Sequence, residues 1–209
     1  MFRMMFVASV AAFVVGSGAV VANAGPIPYP NPGTENQETY TFTATADGDI
    51  VAYFYGGAAT YTEVVGLEIN GVSTGVYGLN NHTSSLGDSI VLGNAHMGDV
   101  LTFVDQIIEG PPVVPSFWYS DPSLNSDGAQ HIYSTSFAGS GLIPAGAYIG
   151  FEDLPSDSAD LDYNDVQFVF TNVSSSVPEA STWALMLLGF LGLGFAGRRG
   201  SQKSSPLAA

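Results

Sequence analysis

The chain has 209 residues, four Lys and Arg against 19 Asp and Glu, and no cysteine, for a formal net charge of −15. That balance excludes nucleic acid as a partner, because phosphate recognition needs basic side chains, and the missing cysteines exclude a disulfide-stapled exported fold. A hydrophobic content of 46% with 25 Gly excludes an acidic disordered tail and points to an all-β chain with frequent turns.

Residues 1–24 read as a secretory signal peptide: Arg3 is the charged start, 6–15 the apolar run, and Ala22-Asn23-Ala24 an A-x-A cleavage site. Residues 25–38 open as the Pro-rich stretch GPIPYPNPG, without a packing pattern, and are expected to be a spacer. An N-terminal β half follows over 39–108. Apolar and polar residues alternate over 39–45, and further strands are predicted at 50–55, 62–69, 72–77, 89–92 and 99–104. Asn70-Gly71 is the hairpin turn between two of them, since both residues tolerate positive φ. Glu109-Gly110-Pro111-Pro112 breaks the pattern and opens a C-terminal β half, 109–171. It carries predicted strands at 116–120, 130–137, 145–151 and 166–171, with a polar loop at 121–128. Many short strands between turn signals predict a β-sandwich or jelly roll, as one domain or as two subdomains sharing a core.

Residues 172–176 are Ser-rich and are expected to be a linker, and 177–209 form a tail. Within it 183–197 is apolar throughout and is closed by Arg198-Arg199. The run is short against the roughly 20 residues of an ordinary membrane helix, but its basic end fits a transmembrane helix with the Arg pair on the cytoplasmic side.

All four basic residues lie in the ends, at Arg3, Arg198, Arg199 and Lys203, so nothing between 25 and 177 can pair with an acid as Lys or Arg would. Against that background the loop GFEDLPSDSADLDYNDV at 150–166 stands out. Glu152, Asp153, Asp160, Asp162, Asn164 and Asp165 supply carboxylate and amide oxygens, several two residues apart, which suits Ca²⁺ with its six to eight oxygen ligands. A solvated acidic turn is the plain alternative, and Asp165 alternatively caps the returning strand. The loop lacks EF-hand spacing, and its donors suit Zn²⁺ poorly. Ca²⁺ bound to the native state would stabilise it by mass action. Asp121, Asn125 and Asp127 form a second polar loop, which either joins the same ion or makes Asx turns.

Catalytic signatures are weak. His82, His96 and His131 have no metal-ligand spacing between them. Gly87-Asp88-Ser89-Ile90 is superficially similar to an esterase nucleophile block, but no G-x-S-x-G elbow occurs and Asp127 stands four residues from His131. Nothing selects a glycosidase pair among so many acids. Tyr53, Tyr55, Tyr61, Tyr77, Phe117, Trp118 and Tyr119 are candidates either for sugar stacking or for cross-strand packing.

Two resemblances extend this reading. Val177-Pro178-Glu179-Ala180, the apolar run and Arg198-Arg199 together resemble a PEP-CTERM sorting signal, with Ala180 where the family has Pro. The resemblance implies an exosortase-type sorting enzyme as partner, transient anchorage in the inner membrane, and a surface or extracellular place in an exopolysaccharide-producing Gram-negative bacterium. The segment FWYSDPSLNSDGAQHIY at 117–133, with Gly150-Phe151-Glu152-Asp153-Leu154 and Asp160-Leu161-Asp162-Tyr163-Asn164-Asp165, resembles the extracellular DUF4114 domain over roughly 116–170. That implies Ca²⁺ binding through the acidic motif and no known catalytic activity. The expectation is an exported, non-enzymatic, Ca²⁺-stabilised protein of the cell surface or matrix, associated with exopolysaccharide and biofilm. A carbohydrate-binding module and a secreted hydrolase are the alternatives.

Overall fold

Strand alternation decides which side chains of this chain meet. The computed structural model describes residues 27–110, 116–177 and 191. Its strands are β1 (Thr41–Ala44), β2 (Gly48–Gly57), β3 (Thr62–Ile69), β4 (Val72–Gly78), β5 (Ser89–Ala95), β6 (Val100–Glu109), β7 (Phe117–Tyr119), β8 (Ile132–Phe137), β9 (Gly146–Phe151), β10 (Val166–Thr171) and β11 (Val173–Ser176), with one 3-10 turn at Pro122–Leu124. They form two sheets, in the orders β11-β1-β6-β3-β4, with β7 also on β6, and β5-β2-β10-β9-β8. Every described pairing is antiparallel.

The inward faces of the two sheets build one core. Phe42, Leu67 and Phe103 of the first sheet pack with Ile50, Phe168 and Phe170 of the second, and the Phe103 and Phe170 rings lie 3.9 Å apart. Each such side chain contributes roughly 1.5–3 kcal/mol on leaving water. A smaller cluster of Tyr55, Phe137, Ile143, Tyr148 and Val169 lies on the second sheet, with Ile27 and Tyr133 packed against it.

The β-sandwich expected from the strand pattern is therefore present, and the Asn70-Gly71 hairpin turn has both residues at positive φ, 51° and 76°. Three expectations need correcting. Residues 172–176 are not a free linker, because β11 pairs with β1 from Thr41↔Ser176 to Ala44↔Val173. The pairing uses backbone groups while the Ser side chains stay outward, so no apolar period announces it. The lead-in at 25–38 is no loose spacer over its described part. Tyr29 packs edge-on to Tyr133 and Tyr163, and Asn36 is buried with its backbone N–H donating to the Tyr163 hydroxyl at 2.8 Å. The break at 109 does not part the fold, since each sheet takes strands from both sequence halves. The expected signal peptide and, apart from Leu191, the apolar run 183–197 lie outside the described residues. Among the described residues no helix is long and apolar enough to cross a membrane.

Candidate metal centre

Two acids enter the core from the first sheet. Glu63, Val65 and Leu67 share one face of β3, and Leu101, Phe103, Asp105 and Ile107 share one face of β6. Val65 pairs with Asp105 and Glu63 with Ile107, so the two carboxyls are diagonal neighbours on that inward face. Both residues are 0% exposed, and neither oxygen of either carboxyl has a hydrogen-bond partner. Sequence reading missed both. The available signal was positional: each continues an alternation whose other members are apolar.

The second sheet supplies the facing acids. Ile149 and Phe151 of β9 point into the core, and Glu152 and Asp153 follow directly, both buried. Their backbone is pinned at several points. The Glu152 N–H donates to the His131 carbonyl at 3.0 Å, and His131 Nδ1 donates to the Glu152 carbonyl at 2.9 Å. The His131 ring stacks on Trp118 at 3.6 Å, and Trp118 Nε1 donates to the Asp153 carbonyl at 2.7 Å. Asp165 stands just before β10, and its Oδ2 accepts from the Asp153 N–H at 2.9 Å.

Between them the loop turns back through two left-handed residues, Leu161 at φ 56° and Tyr163 at φ 55°, a conformation that non-glycine residues adopt at some cost. Tyr163 holds it there. Its hydroxyl accepts from the Asn36 N–H at 2.8 Å and donates to the Gln130 carbonyl at 3.2 Å. Gly150 lets the loop lie close, since a Cβ there would stand 2.2 Å from the Tyr163 carbonyl oxygen.

The result is two overlapping trios. Carboxylate oxygens of Glu152, Asp153 and Asp165 lie within 4.8 Å of one another, as do those of Glu152, Asp160 and Asp162. Oxygens bound about 2.3–2.6 Å from one Ca²⁺ can be no more than about 5 Å apart, so both trios fit that ion. Asn164 stands beside the second trio: its side-chain amide donates to Asp162, and both residues line a cavity of about 570 Å³ with Tyr55 and Gln167. A second cavity, about 360 Å³, is lined by Ala59, Thr60, Glu152, Asp153, Asp160 and Asp165.

Electrostatics set the demand for a cation. Burial, then the neighbouring Asp105, pushes Glu63 up to about 12. Burial, then Asp153 and Asp165, raises Asp105 well above the carboxylate range. Burial and Asp165 raise Glu152 to about 9, and burial and Asp153 raise Asp165 to about 7. Asp153 and Asp165 add to the rise at Glu63. A buried unpaired carboxylate costs several kcal/mol, and no Lys or Arg exists between residues 25 and 177 to offset it.

The second polar loop makes turns and ties instead. Asp121 Oδ1 accepts from the Ser123 N–H at 2.9 Å. Asn125 bonds the Tyr119 backbone in both directions. Asp127 Oδ1 accepts from the Ala129 N–H and Oδ2 from the Ser156 N–H, each at 3.0 Å. His131 is 1% exposed and has Asp127 at 3.0 Å. Ser89 begins β5, while His131 immediately precedes β8; β2, β10 and β9 lie between those strands. At about 4.8 Å per strand step, the esterase-like pairing is not assembled. Of the seven candidate aromatics, Trp118 and Tyr55 are buried, whereas Tyr77, Phe117 and Tyr119 form a partly exposed row with neighbouring ring centroids 6.4 Å apart.

Residues 90–172 match the family described as "Domain of unknown function (DUF4114)", and residues 176–199 match the PEP-CTERM protein-sorting motif. The chain carries a PEP-CTERM motif behind a DUF4114 segment. No curated protein and no solved structure matches it. The DUF4114 segment begins earlier than the 116 expected from sequence. It contains Asp105 and the whole acidic loop but leaves Glu63 outside. The PEP-CTERM motif marks an exported, envelope-associated protein processed by an exosortase. Of its residues Val177 is described and exposed, whereas Pro178, Glu179, Arg198 and Arg199 lie outside the described residues.

Proposed function

We propose that this PEP-CTERM protein is a non-enzymatic structural component of the cell surface or extracellular matrix, stabilised by Ca²⁺ bound at Glu152, Asp153 and Asp165 with Asp160 and Asp162. The observation that carries the reading is the convergence of carboxylates around buried Glu152 and Asp153, with the oxygens of each trio within 4.8 Å of one another, in a stretch of chain without Lys or Arg. Hard oxygen donors select Ca²⁺ over softer metals. The sorting motif supports a place outside the cell, where Ca²⁺ is plentiful, and the exopolysaccharide of the producing cell is the surrounding polymer in this reading. The ion would serve the role that disulfides serve in other exported domains, holding the acidic loop against the sandwich.

The test is thermal unfolding of the full-length chain with CaCl₂ and with EDTA, alongside metal analysis of the protein as purified. At an ion concentration a hundredfold above Kd, binding stabilises by about 2.7 kcal/mol, which raises Tm by on the order of 5–10 °C. Equal melting in both conditions, with no Ca²⁺ in the purified protein, rejects the reading. A glycan-binding role draws its support from the cavity where Tyr55 meets Asp162, Asn164 and Gln167. Retention on the producing cell's own polysaccharide, lost on Gln167→Ala, separates it from a purely structural role.

A further inference from the structure

Glu63 and Asp105 differ in kind from the loop acids. They stand at inward β positions among Val65, Leu67 and Phe103, where an apolar side chain would complete the core. They satisfy no backbone group and cap no turn, and both oxygens of each are buried without a partner. Trp118, paired with Asp105 across β6 and β7, donates from Nε1 to the Asp153 carbonyl at 2.7 Å, and the Asp153 N–H donates to Asp165 at 2.9 Å, which brings Asp105 and its diagonal neighbour Glu63 beside the acids at the ends of β9 and β10. On the far side of those acids, Glu152 belongs to both trios of the loop.

We propose that the centre takes two divalent cations: an inner one clamped between the sheets by Glu63, Asp105, Asp153 and Asp165, and an outer one held by Glu152, Asp160 and Asp162. The inference rests on the Ca²⁺ reading above and deepens it. Glu152, shared by the trios, lies between the two positions and can ligate both ions. One divalent charge at the loop leaves Glu63 and Asp105, both 0% exposed, without a cation, whereas a second between the sheets offsets them. The inner ion is a cross-link, because its ligands come from β3 and β6 on one side and from the ends of β9 and β10 on the other. Water from the cavity beside Glu152, Asp153 and Asp165 completes its shell.

The test counts ions on the full-length chain. Metal-stripped protein is titrated with CaCl₂ alone and followed by calorimetry and native mass spectrometry. The unaltered chain is expected to take two Ca²⁺. Glu63→Gln with Asp105→Asn keeps the side-chain sizes, and is expected to leave one Ca²⁺ and to raise Tm in chelator above that of the unaltered chain by removing the buried charges. Asp160→Asn with Asp162→Asn is expected to leave the inner ion alone. A single ion on the unaltered chain, or two ions retained by the Glu63/Asp105 variant, overturns the inner site while leaving the Ca²⁺ reading standing. No Ca²⁺ uptake by the unaltered chain overturns both. Should the Glu63/Asp105 variant fail to fold, Glu63→Gln alone decides: loss of one ion supports the inner site, and two ions retained overturn it.

Discussion

Position 150 shows how much of the centre depends on one missing methyl group. A Cβ on Gly150 would stand 2.2 Å from the Tyr163 carbonyl oxygen, and that obstacle is backbone, which no rotamer change relieves. The loop carrying Asp160 and Asp162 would have to move outward, away from Glu152. Gly150→Ala is therefore expected to destabilise the chain by about 1–3 kcal/mol, as other overpacked sites do, and to weaken Ca²⁺ binding. Urea unfolding and calorimetry measure the two effects together. A variant of unchanged stability and affinity would show that the loop is not held against β9. Gly57 has a similar neighbour in the Asp165 carbonyl, 2.6 Å from a Cβ built there, so both ends of the acidic loop press on glycine.

At the scale of elements, the acidic loop is clasped by a segment that sequence reading set aside. The Gly33 N–H donates to the Leu161 carbonyl at 3.2 Å, the Asn36 N–H donates to the Tyr163 hydroxyl, and the Tyr29 ring meets the Tyr163 ring at 4.7 Å. Tyr163 is thus the joint between the lead-in, the loop and the approach to β8 at Gln130. Tyr163→Phe keeps the ring packing and leaves the buried Asn36 N–H and Gln130 carbonyl without this partner. The expected cost is about 1–3 kcal/mol, with the Asn36 amide losing its hydrogen-exchange protection before the core strands do. Protection at Asn36 that survives the substitution would mean that the lead-in is held by its aromatic contacts alone.

Over the whole molecule, the net charge of −15 meets a core that holds carboxyls, and this couples stability to both pH and metal. In the metal-free folded chain, Glu63, Glu152 and Asp165 are raised to about 12, 9 and 7, so they keep protons that the unfolded chain releases above about pH 4.5. The folded state then binds more protons than the unfolded one, and stability falls as pH rises, by about 1.4 kcal/mol per pH unit for each retained proton. For Asp165 the fall ends near pH 7, and for Glu152 near pH 9. Metal-stripped protein is accordingly expected to be more stable at pH 5.5 than at pH 8.5, whereas Ca²⁺ replaces those protons and makes the loaded form less pH-dependent. Its apparent affinity should rise over the same range. Unfolding midpoints at several pH values, with and without Ca²⁺, check this. A metal-free form that gains stability with pH contradicts it.

Period-two alternation, turn residues and a chain almost free of bases were enough to determine the β-sandwich class, most of the strands and the acidic loop, and the sorting motif carried the exported character. These are local signals, carried by neighbours in the chain. Tertiary structure decided which acids meet. Alternation placed Glu63 and Asp105 on inward faces, but only the packing of the sheets turned those faces toward Asp153 and Asp165. It also placed the Asn164 amide on Asp162 and showed that 173–176 close a sheet edge. The reason is physical: strand pairing runs through backbone groups that every residue shares, and a carboxylate's partners are set by three-dimensional distance, which sequence spacing does not record.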